Sequence, residues 1–131
     1  MNRSFSNFER ALARFEEALT VPKDVLLAID GSIQRFEFTF EASWKAMRNL
    51  LFSQEGVEVN LPREILKKAY LAGWIDDEKL WLSMLNHRNE TSHIYNEEKA
   101  EEIYDMLAAY AKNLRMLCNL LKTKYPDVTT N

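Results

Sequence analysis

The sequence predicts an all-α protein, an up-and-down helical bundle of four main helices plus shorter helices. Three observations lead there. Only three Gly and three Pro occur among 131 residues, too few for the tight turns that many short strands need. Apolar residues recur at steps of three and four in one segment after another, which is helical spacing rather than strand alternation. The last long segment carries this furthest: Ile103, Leu107, Tyr110, Leu114, Leu117 and Leu121 alternate steps of four and three for about five turns, a bundle seam.

Taken in order, Phe5, Phe8, Leu12, Phe15 and Leu19 mark a first helix with Ser4 or Ser6 as its cap, ended by Thr20-Val21-Pro22. Residues 23–29 suit a short helix, and Asp30-Gly31-Ser32 is the clearest early break. A second long helix is expected over 32–53. Ile33, Phe36, Phe40, Met47 and Leu51 lie on its apolar side, and Phe38 and Trp44 widen that side. Glu37, Glu41 and Lys45 recur at i, i+4 along it, as in an exposed ion-pair ladder worth roughly 0.2–0.5 kcal/mol per pair. Alternatively, Glu41 or Glu37 faces Arg88 in a cleft. Residues 54–61 read as a loop closed by Pro62 at a helix N1 position, and 63–72 as a shorter third helix. Gly73 and the Asp76-Asp77 pair turn the chain into the next helix, with an acidic residue as cap. Asn96 breaks that helix, and Glu97-Glu98 suit the start of the last one by complementing its dipole. Residues 1–125 are expected to form one bundle and 126–131 a polar C-terminal tail.

With 47% hydrophobic and 28% charged residues, the composition is that of a soluble globular chain able to bury a core without metals or disulfides. The lone Cys118 cannot form an internal disulfide, which fits a reducing cytoplasm; its spacing from Leu114 and Leu121 marks a small core hydrophobe. The first residues are too charged for a signal peptide, and no apolar run approaches membrane length, so a cytoplasmic protein is expected. A net charge of −3 argues against broad binding of nucleic acid through a basic face. A small cleft that grips one phosphate with one arginine stays open.

The most informative stretch is 80–95, LWLSMLNHRNETSHIY. Leu80, Trp81, Met84 and Leu85 mark one apolar face, and continuing it by four from Met84 lands on Arg88. A guanidinium there is expensive unless something replaces its hydration. Both histidines, His87 and His93, lie in the same stretch. On an undistorted helix Arg88 and His93 are about 140° apart, whereas Arg88 and Tyr95 lie within about 20°. Arg88 and His93 meet at one substrate only if the helix distorts or two copies face each other, which points to a homodimer.

Arg88-Asn89-x-x-x-His93 resembles the R-x(4–6)-H motif of the HEPN superfamily, with the polar residue that often follows the arginine. The fuller form, Arg88-x4-His93-x-Tyr95, is similar to HEPN toxins encoded beside a minimal nucleotidyltransferase antitoxin, a branch long labelled nucleotidyltransferase substrate-binding protein. IQRFEFTFEASWKAM (33–47), AGWIDDEKLW (72–81) and EEIYDML (101–107) resemble the same branch, so the likeness spans nearly the whole chain. It implies a HEPN-like bundle, a homodimer and a partner nucleotidyltransferase that adenylylates Tyr95. It further implies Arg88 and His93 as catalytic residues acting on RNA.

The residues suit such chemistry. No Gly-rich phosphate loop, zinc pattern or two-metal carboxylate cluster occurs, so catalysis here is expected to need neither metal nor cofactor. RNA carries its own nucleophile in the 2′-hydroxyl. Histidine suits proton transfer near neutral pH, and arginine suits a phosphorane through forked, charge-assisted hydrogen bonds. Each residue also has a plainer role. His93 can be a structural histidine bonded to a backbone carbonyl or to Asn89. Arg88 can anchor an ion pair across a dimer seam, and Asn89 can orient either of them. His87 reads as structural or exposed, Tyr95 as a helix-end aromatic, and Trp44, Trp74 and Trp81 as core or interface. Two rival functions follow: a non-catalytic subunit presenting a nucleotide or substrate to a nucleotidyltransferase, favoured by the acidic balance, and a scaffold bundle.

Overall fold

The computed structural model describes residues 3–91 and 96–130, and among these every regular element is a helix. They are α1 (Arg3–Ala18), α2 (Ala28–Glu55), α3 (Pro62–Leu71), α4 (Glu78–Thr91), α5 (Glu97–Lys124) and α6 (Pro126–Thr129). The long α2 is the hub, packing against α1, α3, α4 and α5, while α5 also touches α1, α4 and α6. The expected all-α bundle is what the chain adopts.

The apolar periodicities become the core. Phe5, Phe8, Leu12 and Phe15 of α1 are fully buried, as are Phe36, Phe40 and Met47 of α2 and Ile103, Leu107, Tyr110, Leu114 and Leu121 of α5. A run of rings crosses the centre: Phe36 stacks on Tyr110 at 5.3 Å, and Phe40 meets Trp81 of α4 at 6.4 Å. Each fully buried aromatic of this kind contributes roughly 1.5–3 kcal/mol through the area removed from water. Trp74 and Trp81 belong to this core, and Cys118 is buried in it.

Helix ends follow local chemistry. Pro62 opens α3, the Asp77 carboxylate accepts the Leu80 N–H at 3.0 Å, and the Asn96 side chain accepts the Lys99 N–H at 2.7 Å. Gly56, at φ 67°, closes α2 in the left-handed conformation that glycine adopts without a Cβ clash.

Four expectations fail. Asp30-Gly31-Ser32 lies inside α2, because Ser32 and Ile33 are buried and their packing outweighs the roughly 1 kcal/mol that Gly31 costs a helix. Residues 23–27 form turns rather than a helix, and the break falls at Leu27, whose φ is 67°. Ser4 and Ser6 sit within α1 instead of capping it, and the Ser4 hydroxyl accepts from Asn49 Nδ2. Phe38 does not widen the buried side of α2; it is 53% exposed. Within the polar C-terminal segment, Pro126 starts a short helical turn whose Thr129 is buried.

Candidate functional site

The C-terminal half of α4 carries polar side chains that face two neighbours, α2 and α5. Arg88 points towards α2. Its Nε is 3.2 Å from Glu41 Oε1 and its Nη1 is 3.7 Å from Glu37 Oε2. The two carboxylates stand one turn apart on α2 and so converge on one guanidinium. Arg88 is therefore not a buried cation at the end of the Trp81–Met84 face. Its side chain is 28% exposed, at the rim of the bundle, with Glu37 and Glu41 at 26% and 32%. The ladder that the α2 spacing suggested is redirected across helices: both glutamates turn to Arg88, while Lys45 lies 5.8 Å from the Trp44 ring.

On the α5 side, Ser83 and His87 converge on Tyr110. The Tyr110 oxygen is 2.6 Å from Ser83 Oγ and 2.6 Å from His87 Nδ1. With His87 neutral and its proton on Nε2, the Ser83 hydroxyl donates to Tyr110 and the Tyr110 hydroxyl donates to Nδ1. Burial lowers the His87 pKa from its ordinary 6.5, opposed by Glu90 and Glu102 and reinforced by Lys99. Burial likewise raises the Tyr110 pKa, so both groups stay neutral near pH 7.

Beyond His87, Glu90 meets Lys99 of α5 at 2.9 Å, and Lys99 also reaches Glu102 at 3.5 Å. The Lys99 hydrogen bond holds the Glu90 carboxyl below its usual range. Asn89 is exposed and makes no hydrogen bond among the described residues. His93 and Tyr95 lie outside the described residues.

Arg88, Glu37 and Glu41 are thus brought together, and the Ser83–Tyr110–His87 chain was missed from the sequence. Tyr110 reads there as one more seam residue, although Ser83 and His87 at i, i+4 on the facing helix were an available sign. A cavity of about 280 Å³ lies between the 23–30 region and the start of α5, lined by Lys23, Leu27, Asp30 and Glu101, and does not include Arg88. Among the described residues no group of three or more His, Cys, Asp or Glu is placed to hold a metal ion. Nor is any of their helices long and apolar enough to cross a membrane.

An all-α bundle with an arginine held at the end of an inner helix, followed by Asn and a histidine four residues further on, defines a HEPN-type protein. Residues 3–123 match the family model described as nucleotidyltransferase substrate binding protein like, and the chain belongs to that family, a branch of the HEPN superfamily. A Haemophilus influenzae (strain Rd) protein named "Probable ribonuclease HepT" is 34% identical over 94 residues, 69% of this chain and 63% of the relative. The chain thus spans just under two thirds of that relative's length. Two solved structures share the fold. A Thermus thermophilus protein is 35% identical with a TM-score of 0.83, over 88% of this chain and 98% of the other. The second, from Haemophilus influenzae, is described as revealing the fold of a substrate-binding domain of a nucleotidyltransferase. It is 28% identical with a TM-score of 0.68, over 91% of this chain and 94% of the other.

Proposed function

We propose that this protein is a HEPN-type toxin, a metal-independent endoribonuclease that acts as a homodimer in the cytoplasm and is neutralised by a partner minimal nucleotidyltransferase encoded nearby. The observation that carries this reading is the setting of Arg88. Its guanidinium is kept at the rim by Glu37 and Glu41, within reach of solvent and next to the sequence that supplies His93. The relative named as a probable ribonuclease supports the same activity.

In this reading His93 takes the proton of the RNA 2′-hydroxyl, whose oxygen attacks the adjacent phosphorus. The bond from phosphorus to the 5′-oxygen then breaks, and that oxygen takes a proton from His93 of the partner subunit. The products are a 2′,3′-cyclic phosphate and a 5′-hydroxyl. Arg88 carries the charge that builds up on the phosphorane oxygens. Glu37 and Glu41 hold the guanidinium in place before RNA arrives, and Asn89, exposed beside it, contacts substrate. Tyr95 is the residue that the partner nucleotidylates; the added phosphate would occupy Arg88 and the nucleoside would fill the cleft.

Purified protein incubated with RNA tests this. Cleavage should leave 2′,3′-cyclic phosphate ends or their opened products, persist in EDTA, and fall 10²- to 10⁴-fold, to order of magnitude, in His93→Ala. Loss of cleavage in EDTA would overturn the metal-free mechanism. A second reading, a non-catalytic nucleotide- or substrate-binding subunit of a two-component nucleotidyltransferase, is favoured by the net charge of −3 and by the substrate-binding description of the second structure. It predicts intact RNA and a complex with the neighbouring gene product.

A further inference from the structure

We infer that the hydrogen-bonded chain Ser83–Tyr110–His87 sets the rotation of α4 about its axis and thereby aims Arg88, which makes Tyr110 and His87 positioning residues. Only the consequence for catalysis rests on the ribonuclease reading above.

The Tyr110 hydroxyl is a fixed point. Its ring is fully buried and stacked on Phe36 of α2, with centroids 5.3 Å apart and planes at 25°. Ser83 and His87 are one turn apart on one face of α4, and both meet this one oxygen at 2.6 Å. Two bonds a turn apart to a single fixed atom leave the helix little freedom to roll or slide. Packing alone would be served by Phe at a seam position. A hydroxyl there must be stripped of water, and it is retained with both of its partners on α4. Among the described residues, a further tie from this turn to α5, Glu90 to Lys99 at 2.9 Å, is a largely exposed ion pair and holds weakly.

Arg88 directly follows His87, about 100° around the helix, and projects to the opposite neighbour, α2. A roll of α4 by about 10° moves a group some 6 Å from the axis by about 1 Å. That is enough to lose the 3.2 Å approach to Glu41. Misplacement of a reacting group by about 1 Å can cost on the order of 10² in rate.

Tyr110→Phe keeps the ring and removes the fixed oxygen. The first readout is the Arg88 Nε–H resonance in a proton–nitrogen correlation spectrum, together with the His87 ring nitrogens. The second is the kcat and KM of RNA cleavage, beside Arg88→Ala. Expected are a shifted or broadened Arg88 signal, a kcat lower by about 10- to 100-fold and a KM within about twofold. His87→Ala should behave like Tyr110→Phe. His87→Asn, whose amide oxygen can stand where Nδ1 stood, should recover most of the rate. An unchanged Arg88 signal in Tyr110→Phe overturns the inference whether or not RNA is cleaved. So does a moved signal with wild-type kcat, in a protein that Arg88→Ala inactivates. A moved signal in a protein that never cleaves RNA upholds the aiming of Arg88 and removes the ribonuclease reading instead. Should Tyr110→Phe fail to fold, Ser83→Ala removes one of the two bonds and is read in the same way at smaller amplitude.

Discussion

Arg88→Ala separates a catalytic arginine from a structural one, because the geometry assigns the two roles different energies. At 3.2 Å from Glu41, the Coulomb attraction is about 1.3 kcal/mol at the dielectric constant of water and about 5 kcal/mol at an effective value near 20. All three side chains are between 26% and 32% exposed, so solvent screens the pair strongly. Measured pairs of this kind contribute about 0.2–1 kcal/mol each. Losing both contacts should therefore cost roughly 1 kcal/mol in all, and Glu37 and Glu41, left behind, remain hydrated. For a chain of this size that lowers Tm by about 3–5 °C. Breaking a buried ion pair would instead cost about 3–5 kcal/mol and more than about 10 °C. Activity should move much further than stability. Removing a charged stabiliser of the transition state costs roughly 10²- to 10³-fold, equivalent to about 2.7–4 kcal/mol. Thermal denaturation and RNA cleavage on the same preparation decide the matter. A large drop in Tm, or full cleavage by a folded Arg88→Ala protein, would refute the reasoning and leave Arg88 as a structural anchor.

The His87 environment predicts a pH dependence of stability. Because burial lowers its pKa from 6.5 in the folded state, the unfolded chain binds more protons in that range. Stability is then fully present above about pH 6.5 and is lost as pH falls towards the folded value. Urea unfolding between pH 5 and 8 should show this slope in wild type and a flatter one in His87→Asn; equal slopes would rule His87 out as its source. Tyr95→Phe should express as a folded, growth-inhibiting protein that escapes the neighbouring nucleotidyltransferase. Mass spectrometry after co-expression checks this, and a nucleotidyl mass on another residue would remove Tyr95 from the mechanism.

Local and periodic features of this fold were legible in the chain itself. The Ile103–Leu121 seam, the Phe5–Phe15 stripe, Pro62 at a helix start, the acidic cap at Asp77 and the break at Asn96 act within a few turns of themselves, so spacing alone exposes them. The family motif was equally visible, since Arg88, Asn89 and His93 are close in sequence. What tertiary structure decided is where long side chains turn once helices distant in the chain become neighbours. Glu41 had an adequate partner in Lys45 one turn along its own helix, yet both Glu37 and Glu41 meet Arg88 because α4 packs against α2. Phe38 looked like core but faces outward, because the helices around α2 leave that side uncovered. Tyr110 read as an apolar seam residue, and only the approach of α4 shows its hydroxyl joining Ser83 to His87. Periodicity reports which side of a helix is buried. It does not report which polar tip meets which, because an ion pair or hydrogen bond depends on ångström-scale distances that only the packed helices define.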